Sequence, residues 1–202
     1  SLAVHCIDID RFKDINDSLG LESADMLLRL IADRLIALAG PRDVVARLSA
    51  DQFVVVQADI GERSEADAFA RKAAEEAAQP LTVNGAEIAV TVGIGTAIAP
   101  EHGRDAERLL KSAMLALAKG KEDGRGQIRS FSTDLDNELY RRLKLERAID
   151  AALAQRRFVV HFQPQYSPDG AKLAGFEALA RLPNGDGSFI PPTDFVPAAE
   201  RT

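Results

Sequence analysis

Residues 7–20, IDIDRFKDINDSLG, follow directly on the apolar run LAVHC at 2–6, and their reading decides the fold. Over 2–9 the side chains alternate, with Ile7 and Ile9 on one face and Asp8 on the other, and Asp10 next in phase with Asp8. That period of two marks a strand with carboxylates at its end. Magnesium takes oxygen ligands and commonly bridges protein carboxylates to substrate phosphates, so Asp8 and Asp10 are candidates to hold it. Asp51, at the tip of an expected central hairpin, could join them from an adjacent strand. Solvated strand-end aspartates with no ligand are the alternative.

Outward from that strand, apolar residues recur at helical spacing over about 22–39 (Leu27, Leu30, Ile31, Leu35, Leu38), and Gly40-Pro41 ends the pattern. Two β-branched runs, 44–48 and 52–57, flank a short tip and predict a hairpin. A helix is expected over 64–78, an extended region over 81–98 that turns at Asn84-Gly85, and a helix with Leu109, Leu110, Ala113, Met114 and Leu117 on one face. A strand near 127–132 completes a β-α-β-β-α-β-α-β order, an α/β sandwich around a ferredoxin-like core. A further helix over 137–155, carrying Leu139, Leu143, Ile149 and Leu153, leads into strands at 159–162 and 173–179 joined by a turn at Ser167-Pro168-Asp169-Gly170.

The 202 residues carry a net charge of −6, against a nucleic-acid surface built on bulk positive charge. No apolar run approaches the ~18 to 20 residues of a membrane-spanning helix. One cysteine, Cys6, excludes a disulfide framework and fits a reduced, cytoplasmic setting. Residues 1–136 hold 16 basic and 23 acidic side chains, net −7, whereas 137–202 hold 9 and 8, net +1, and six of the nine prolines lie beyond 163. The shift places a domain boundary at 136/137. Both ends read as cuts through a longer chain, which could carry its own membrane attachment elsewhere.

IDIDRFKDINDSLG, Asp25 and VARLSADQFVVV at 45–56, with TVGIGTA at 91–97 and KEDGRG at 121–126, resemble the GGDEF domain of diguanylate cyclases over about residues 2–132. The resemblance implies a palm-type central antiparallel sheet flanked by helices. It implies metal binding by Asp8, the Ile9 carbonyl and Asp51, with Asp51 at the catalytic acidic position, and magnesium or manganese as the cofactor. Asn16 and Asp25 take the positions that read guanine, where an amide and a carboxylate suit its acceptor and donors. Lys13, Lys121 and Arg125 fall near the triphosphate.

The signature itself departs from the family. Gly-Gly-Asp/Glu-Glu-Phe is here Ser49-Ala50-Asp51-Gln52-Phe53. Ser49 and Ala50 add side chains where glycines permit close backbone approach, and Gln52 removes a carboxylate from the metal site. Leu21, Ala24 and Gly126 replace the usual histidine, glycine and asparagine. The family's inhibitory Arg-x-x-Asp aligns with Gly40-Pro41-Arg42-Asp43 and lacks its arginine, so Arg42 and Asp43 read as an ordinary solvated pair.

FVVHFQPQYS at 158–167, GFEALARL at 175–182 and FIPPTDFVPAAE at 189–200 resemble the start of an EAL domain, the cyclic di-GMP phosphodiesterase, a (β/α)8-type barrel. By resemblance Glu177 is a metal ligand, and Gln163 and Arg181 contact cyclic di-GMP. Gln163 and Glu177 are expected near the C-terminal ends of barrel strands.

The combined expectation is a cyclic di-GMP signalling chain. Its GGDEF domain has lost cyclisation and regulates, by binding GTP, an attached EAL phosphodiesterase or receptor domain. A weak diguanylate cyclase and a purely structural or dimerising scaffold are the alternatives. Expected partners are GTP or cyclic di-GMP, the remainder of the EAL domain, and a second copy if cyclisation survives. Neither nucleic acid nor a membrane segment is expected in this chain.

Overall fold

A computed structural model describes residues 1–167, 170 and 172–200. The chain divides into two units, Ser1–Asp136 and Asn137–Thr202.

In the first unit, β1 (Leu2–Ile9) leads into α1 (Phe12–Leu19) and α2 (Leu21–Leu38). β2 (Val44–Arg47) and β3 (Gln52–Gln57) form a hairpin, α3 (Arg63–Ala78) crosses back, and β4 (Leu81–Val83) and β5 (Ala86–Ile88) make a separate small hairpin. β6 (Val92–Ala99), α4 (Ala106–Asp123) and β7 (Ile128–Ser130) follow. The five-stranded sheet runs β2-β3-β1-β6-β7, antiparallel except for the parallel pair β6–β7. Its first four strands have the ferredoxin-like order, and β7 extends the edge.

β1 is central and buried on both faces. Ile7 and Ile9 join a core with Leu27, Ile31, Leu35, Phe53 and Val55 beneath α2 and α3. Val4 and Cys6 join the opposite core, with Leu109, Ala113, Leu117 and Phe131, beneath α4. Alternation therefore commits Asp8, in phase with Val4 and Cys6, to the α4 side. α4 packs so close to β6 that a Cβ at Gly95 would meet Ala113 O at 2.1 Å. Only a bare Cα fits under that helix. Met114, expected on the apolar stripe of α4, is 39% exposed, because the stripe that packs is set by Leu109, Ala113, Ala116 and Leu117.

The sequence pattern did not reveal α1. Phe12 and Ile15 pack on the core, but Asp14, Asn16, Asp17 and Ser18 are residues that favour caps and turns over helix interiors. The chain enters α1 through Arg11 in the left-handed region (φ 56°) and leaves through Gly20 (φ 80°), so α1 and α2 are separated by one residue. The extended region expected at 81–98 is two separate structures. Asn84 (φ 49°) and Gly85 (φ 81°) close the β4–β5 hairpin, and β6 belongs to the main sheet.

In the second unit, α5 (Thr133–Ala154), whose first residues lie before the boundary, is followed by β8 (Val159–Tyr166), β9 (Leu173–Pro183), β10 (Phe189–Ile190) and α6 (Pro192–Ala199). Ile149, Ala152, Leu182, Phe195 and Ala198 form its core. Leu143 and Leu153 of the expected apolar face are 44% and 61% exposed, and the side chain of Leu139 lies outside the described residues. β8 and β9 are a long antiparallel hairpin, extending past the predicted strands. In the turn between them, Pro168 and Asp169 lie outside the described residues.

Candidate functional site

Asp8 is 2% exposed at the end of β1 and lies directly opposite Gln52 of β3. A buried carboxylate must be compensated, and here two side chains do it. Gln52 donates its Nε2 amide to Asp8 Oδ2 at 2.9 Å. The other oxygen, Oδ1, makes no directed hydrogen bond among the described residues and is met by the Lys121 ammonium as an ion pair. Lys121 comes from the last turn of α4.

Asp51 sits on the bend just before β3, across from Ile9 rather than Asp8, and its carbonyl accepts the Ile9 N–H at 3.2 Å. Arg47 braces this tip by donating Nε to Ser49 O (3.0 Å) and Nη2 to Ala50 O (2.7 Å). Motif spacing left Arg47 unremarked, though an arginine two residues before the altered tip was its signal.

Asp10 does not join Asp8. It lies past the end of β1, and its Oδ2 accepts from Thr91 Oγ1 at 2.6 Å and from the Gly126 N–H at 2.8 Å. This carboxylate holds the 124–127 loop, between α4 and β7, against the end of the sheet. The pairing expected for Arg42 and Asp43 is also replaced. Arg42 Nη1 pairs with Asp59 at 2.5 Å, while Asp43 accepts the N–H groups of Gly40 and Ala58, both at 2.8 Å.

Asn16 and Asp25 flank the α1–α2 junction at Gly20, where the Asn16 carbonyl accepts the Gly20 N–H at 3.0 Å. The side-chain oxygen of Asn16 is buried and has no hydrogen-bond partner among the described residues. Asp25 is exposed and lines a hollow with Leu28, Arg29, Arg47 and Phe53. Arg125 lines a different hollow, with Asp10, Arg11, Asp14 and Thr91. Lys13 is exposed on α1. Of the expected base-reading and phosphate-contacting residues, Asp25 and Arg125 thus line two different hollows, Asn16 and Lys13 line neither of them, and Lys121 is committed to Asp8.

On the β8–β9 ribbon, Gln163 stands opposite Glu177 in mid-hairpin, not at a strand's C-terminal end. The antiparallel pairing of these two strands accounts for the difference. Gln165 Nε2 donates to Glu177 Oε2 at 3.3 Å. Alternation places Gln163, Gln165, Glu177 and Arg181 on one face, and Phe162 and Phe176 on the other, up to the register shift between Gln165 and Tyr166. Arg181 donates Nη1 to the Ala180 carbonyl at 3.0 Å.

Two buried groups near the site are chemically quiet. Burial pushes the Cys6 thiol up to about 12, so the reactive thiolate is suppressed. His5, fully buried, bonds through Nδ1 to Thr96 Oγ1 (2.9 Å) and through Nε2 to Gln57 Oε1 (3.3 Å), and its burial lowers it to about 4.

Among the described residues no three His, Cys, Asp or Glu side chains cluster to hold a metal ion. Asp8 faces an amide donor and an ammonium, and this donor set does not fit a divalent cation. On the ribbon, Glu177 likewise belongs to no group of three such side chains among the described residues.

Residues 1–127 match the diguanylate cyclase GGDEF domain, and residues 146–202 match the EAL domain. The chain therefore belongs to the GGDEF family and continues into the start of an EAL domain. It is similar, at 38% identity over 99% of its length, to an uncharacterized signaling protein of Caulobacter vibrioides, and at 33% over 98% to the cyclic di-GMP phosphodiesterase NbdA of Pseudomonas aeruginosa. It spans 25% of the length of each of these relatives. A solved structure of only the GGDEF domain of the Pseudomonas aeruginosa protein TpbB (or YfiN) is 34% identical, with a TM-score of 0.67, covering 69% of this chain and 81% of that one. Both families generally use divalent metals. Among the described residues no helix is long and apolar enough to cross a membrane.

Proposed function

We propose that the GGDEF domain of this cyclic di-GMP signalling chain, residues 1–136, binds GTP without cyclising it. In this reading it regulates the EAL domain that begins at 137. The observation that carries the reading is the Gln52–Asp8 hydrogen bond at 2.9 Å. Where two carboxylates would gather metal ions to clamp the attacking and leaving oxygens of phosphoryl transfer, this chain has one carboxylate and an amide donor bound to each other. Ser49 and Ala50 add side chains at the same tip.

Binding itself retains its means. The partnerless buried oxygen of Asn16 accepts a hydrogen bond from guanine, the exposed Asp25 carboxylate accepts from its N–H groups, and Lys13 and Arg125 offer charge to the phosphates. Magnesium enters as the counter-ion that the triphosphate carries from solution. On the EAL side, Gln163, Glu177 and Arg181 form the polar face that meets cyclic di-GMP once the barrel is complete, with Glu177 contributing to its metal site. α5 is the segment through which the nucleotide state is transmitted.

Titration calorimetry of the chain with GTP and magnesium tests the binding, and chromatography of the same mixture tests turnover. The expected result is a saturable heat abolished by Asp25→Ala, with no cyclic di-GMP formed. Absence of heat at millimolar GTP would leave a structural scaffold, and accumulating cyclic di-GMP would establish a weak cyclase instead.

A further inference from the structure

We propose that Lys121 is the resident cation of the Asp8 carboxylate, and that Gln52 is the residue that keeps a divalent ion out of this site. This goes beyond the nucleotide reading and does not depend on it.

Three placements converge on Asp8. Gln52 lies directly across the β1–β3 pair and presents N–H, not a lone pair, to Oδ2. Lys121 presents its ammonium to Oδ1 from α4. Gly93, across from Asp8 on β6, lies close beneath α4, where an added Cβ would come within 3.1 Å of Leu117 Cδ1 and 3.9 Å of Lys121 Cγ. Asp8 is 3% exposed at its side chain and Lys121 42%, so the carboxylate is desolvated while the lysine reaches it from the surface. The two carboxylate oxygens are thus both occupied, Oδ2 by the amide donor and Oδ1 by the ion-paired ammonium. A divalent ion would have to displace the ammonium and turn the amide, and it would find one anionic ligand where magnesium usually has carboxylates together with phosphates.

A glutamate at 52 is nearly isosteric with glutamine but places a second carboxylate against Asp8. Two such groups in contact cannot both stay ionised without a cation, and one ammonium balances only one of them. Gln52→Glu therefore converts the pair into a cation site. Lys121→Gln leaves the lysine's position without charge and opens the same carboxylate to a competing ion.

The test is manganese binding to the whole chain without nucleotide, read as free Mn2+ by electron paramagnetic resonance. The parent chain is expected to show no saturable site below about 1 mM, and Gln52→Glu and Lys121→Gln each to tighten binding at least about tenfold. Adding Asp8→Asn should abolish the gain. If Gln52→Glu folds only when Mn2+ is added, as followed by circular dichroism, the site is equally demonstrated. A saturable site in the parent that Asp8→Asn removes would overturn the proposal. So would a folded Gln52→Glu or Lys121→Gln chain that binds Mn2+ no better than the parent.

Discussion

Asp10 Oδ2 accepts the Gly126 N–H at 2.8 Å, joining the end of β1 to a loop 116 residues further along the chain. The same oxygen takes the Thr91 hydroxyl at 2.6 Å. Hydrogen bonds to a charged group contribute about 1.5–3 kcal/mol each, less where water competes. Asp10→Ala is expected to destabilise the first unit by about 2 kcal/mol. It should also remove hydrogen-exchange protection from the Gly126 amide, while Asp10→Asn, which still offers a carbonyl oxygen, should retain part of both. Unchanged exchange at Gly126 in Asp10→Ala would refute this anchoring role.

Gly95 allows α4 to lie on β6. A methyl group there would come to 2.1 Å from Ala113 O and 2.3 Å from Leu117 N, and backbone cannot yield as a flexible side chain can. Gly95→Ala should cost about 3 kcal/mol or more in urea unfolding. Gly20→Ala is the useful contrast. Its added methyl meets nothing within 4 Å, so the expected loss, about 1 kcal/mol, comes from the positive φ alone.

Arg34 of α2 closes the end of α3. Its guanidinium donates to the carbonyls of Glu76 (2.7 Å), Gln79 (2.6 Å) and Pro80 (2.8 Å), groups at the helix terminus that would otherwise need water. Positive charge at this end also suits the helix dipole. Arg34→Met keeps much of the stem and loses the donors, so a loss of about 1.5–3 kcal/mol is expected by thermal or urea denaturation. Lysine should restore only part, since its ammonium cannot span three carbonyls as a planar fork does.

His5 makes stability depend on pH in a defined window. Burial holds it down to about 4, against an ordinary 6.5. The unfolded chain takes up a proton below 6.5, while the folded chain resists until about 4. Stability from this residue is therefore fully present above 6.5 and declines as pH falls from there toward 4, by about 3 kcal/mol in all. Urea unfolding at pH 7 and 4.5 should show a loss about 2 kcal/mol smaller in His5→Gln than in the parent. Equal losses would mean that other groups carry the acid sensitivity.

Much of the first unit was legible because its strands and long helices have clean periods. Ile7 and Ile9 alternating with Asp8 and Asp10 announce a strand, and Asn84-Gly85 announces a turn in an extended region. α1 was not legible, since eight residues rich in Asp, Asn and Ser carry too few apolar positions to show a helical stripe. In the candidate site, Asp8 and Gln52 were both visible as chemistry. That Asp10 would leave Asp8 and hold Thr91 and Gly126 was not, because strand alternation ends at Ile9 and the backbone turns there.

The sequence by itself determined the alternating and helical patterns, the two motif resemblances, and the replacement of a carboxylate by an amide at 52. These are properties of neighbouring residues and of side-chain chemistry, which local order expresses directly. Only the tertiary structure decided what Asp8 meets. The register of β1 against β3 sets Gln52 opposite it, and the close approach of α4 over Gly93 and Gly95 delivers Lys121 to its other oxygen. Burial of that carboxylate makes such partners obligatory, but which residues supply them depends on packing between elements far apart in the chain.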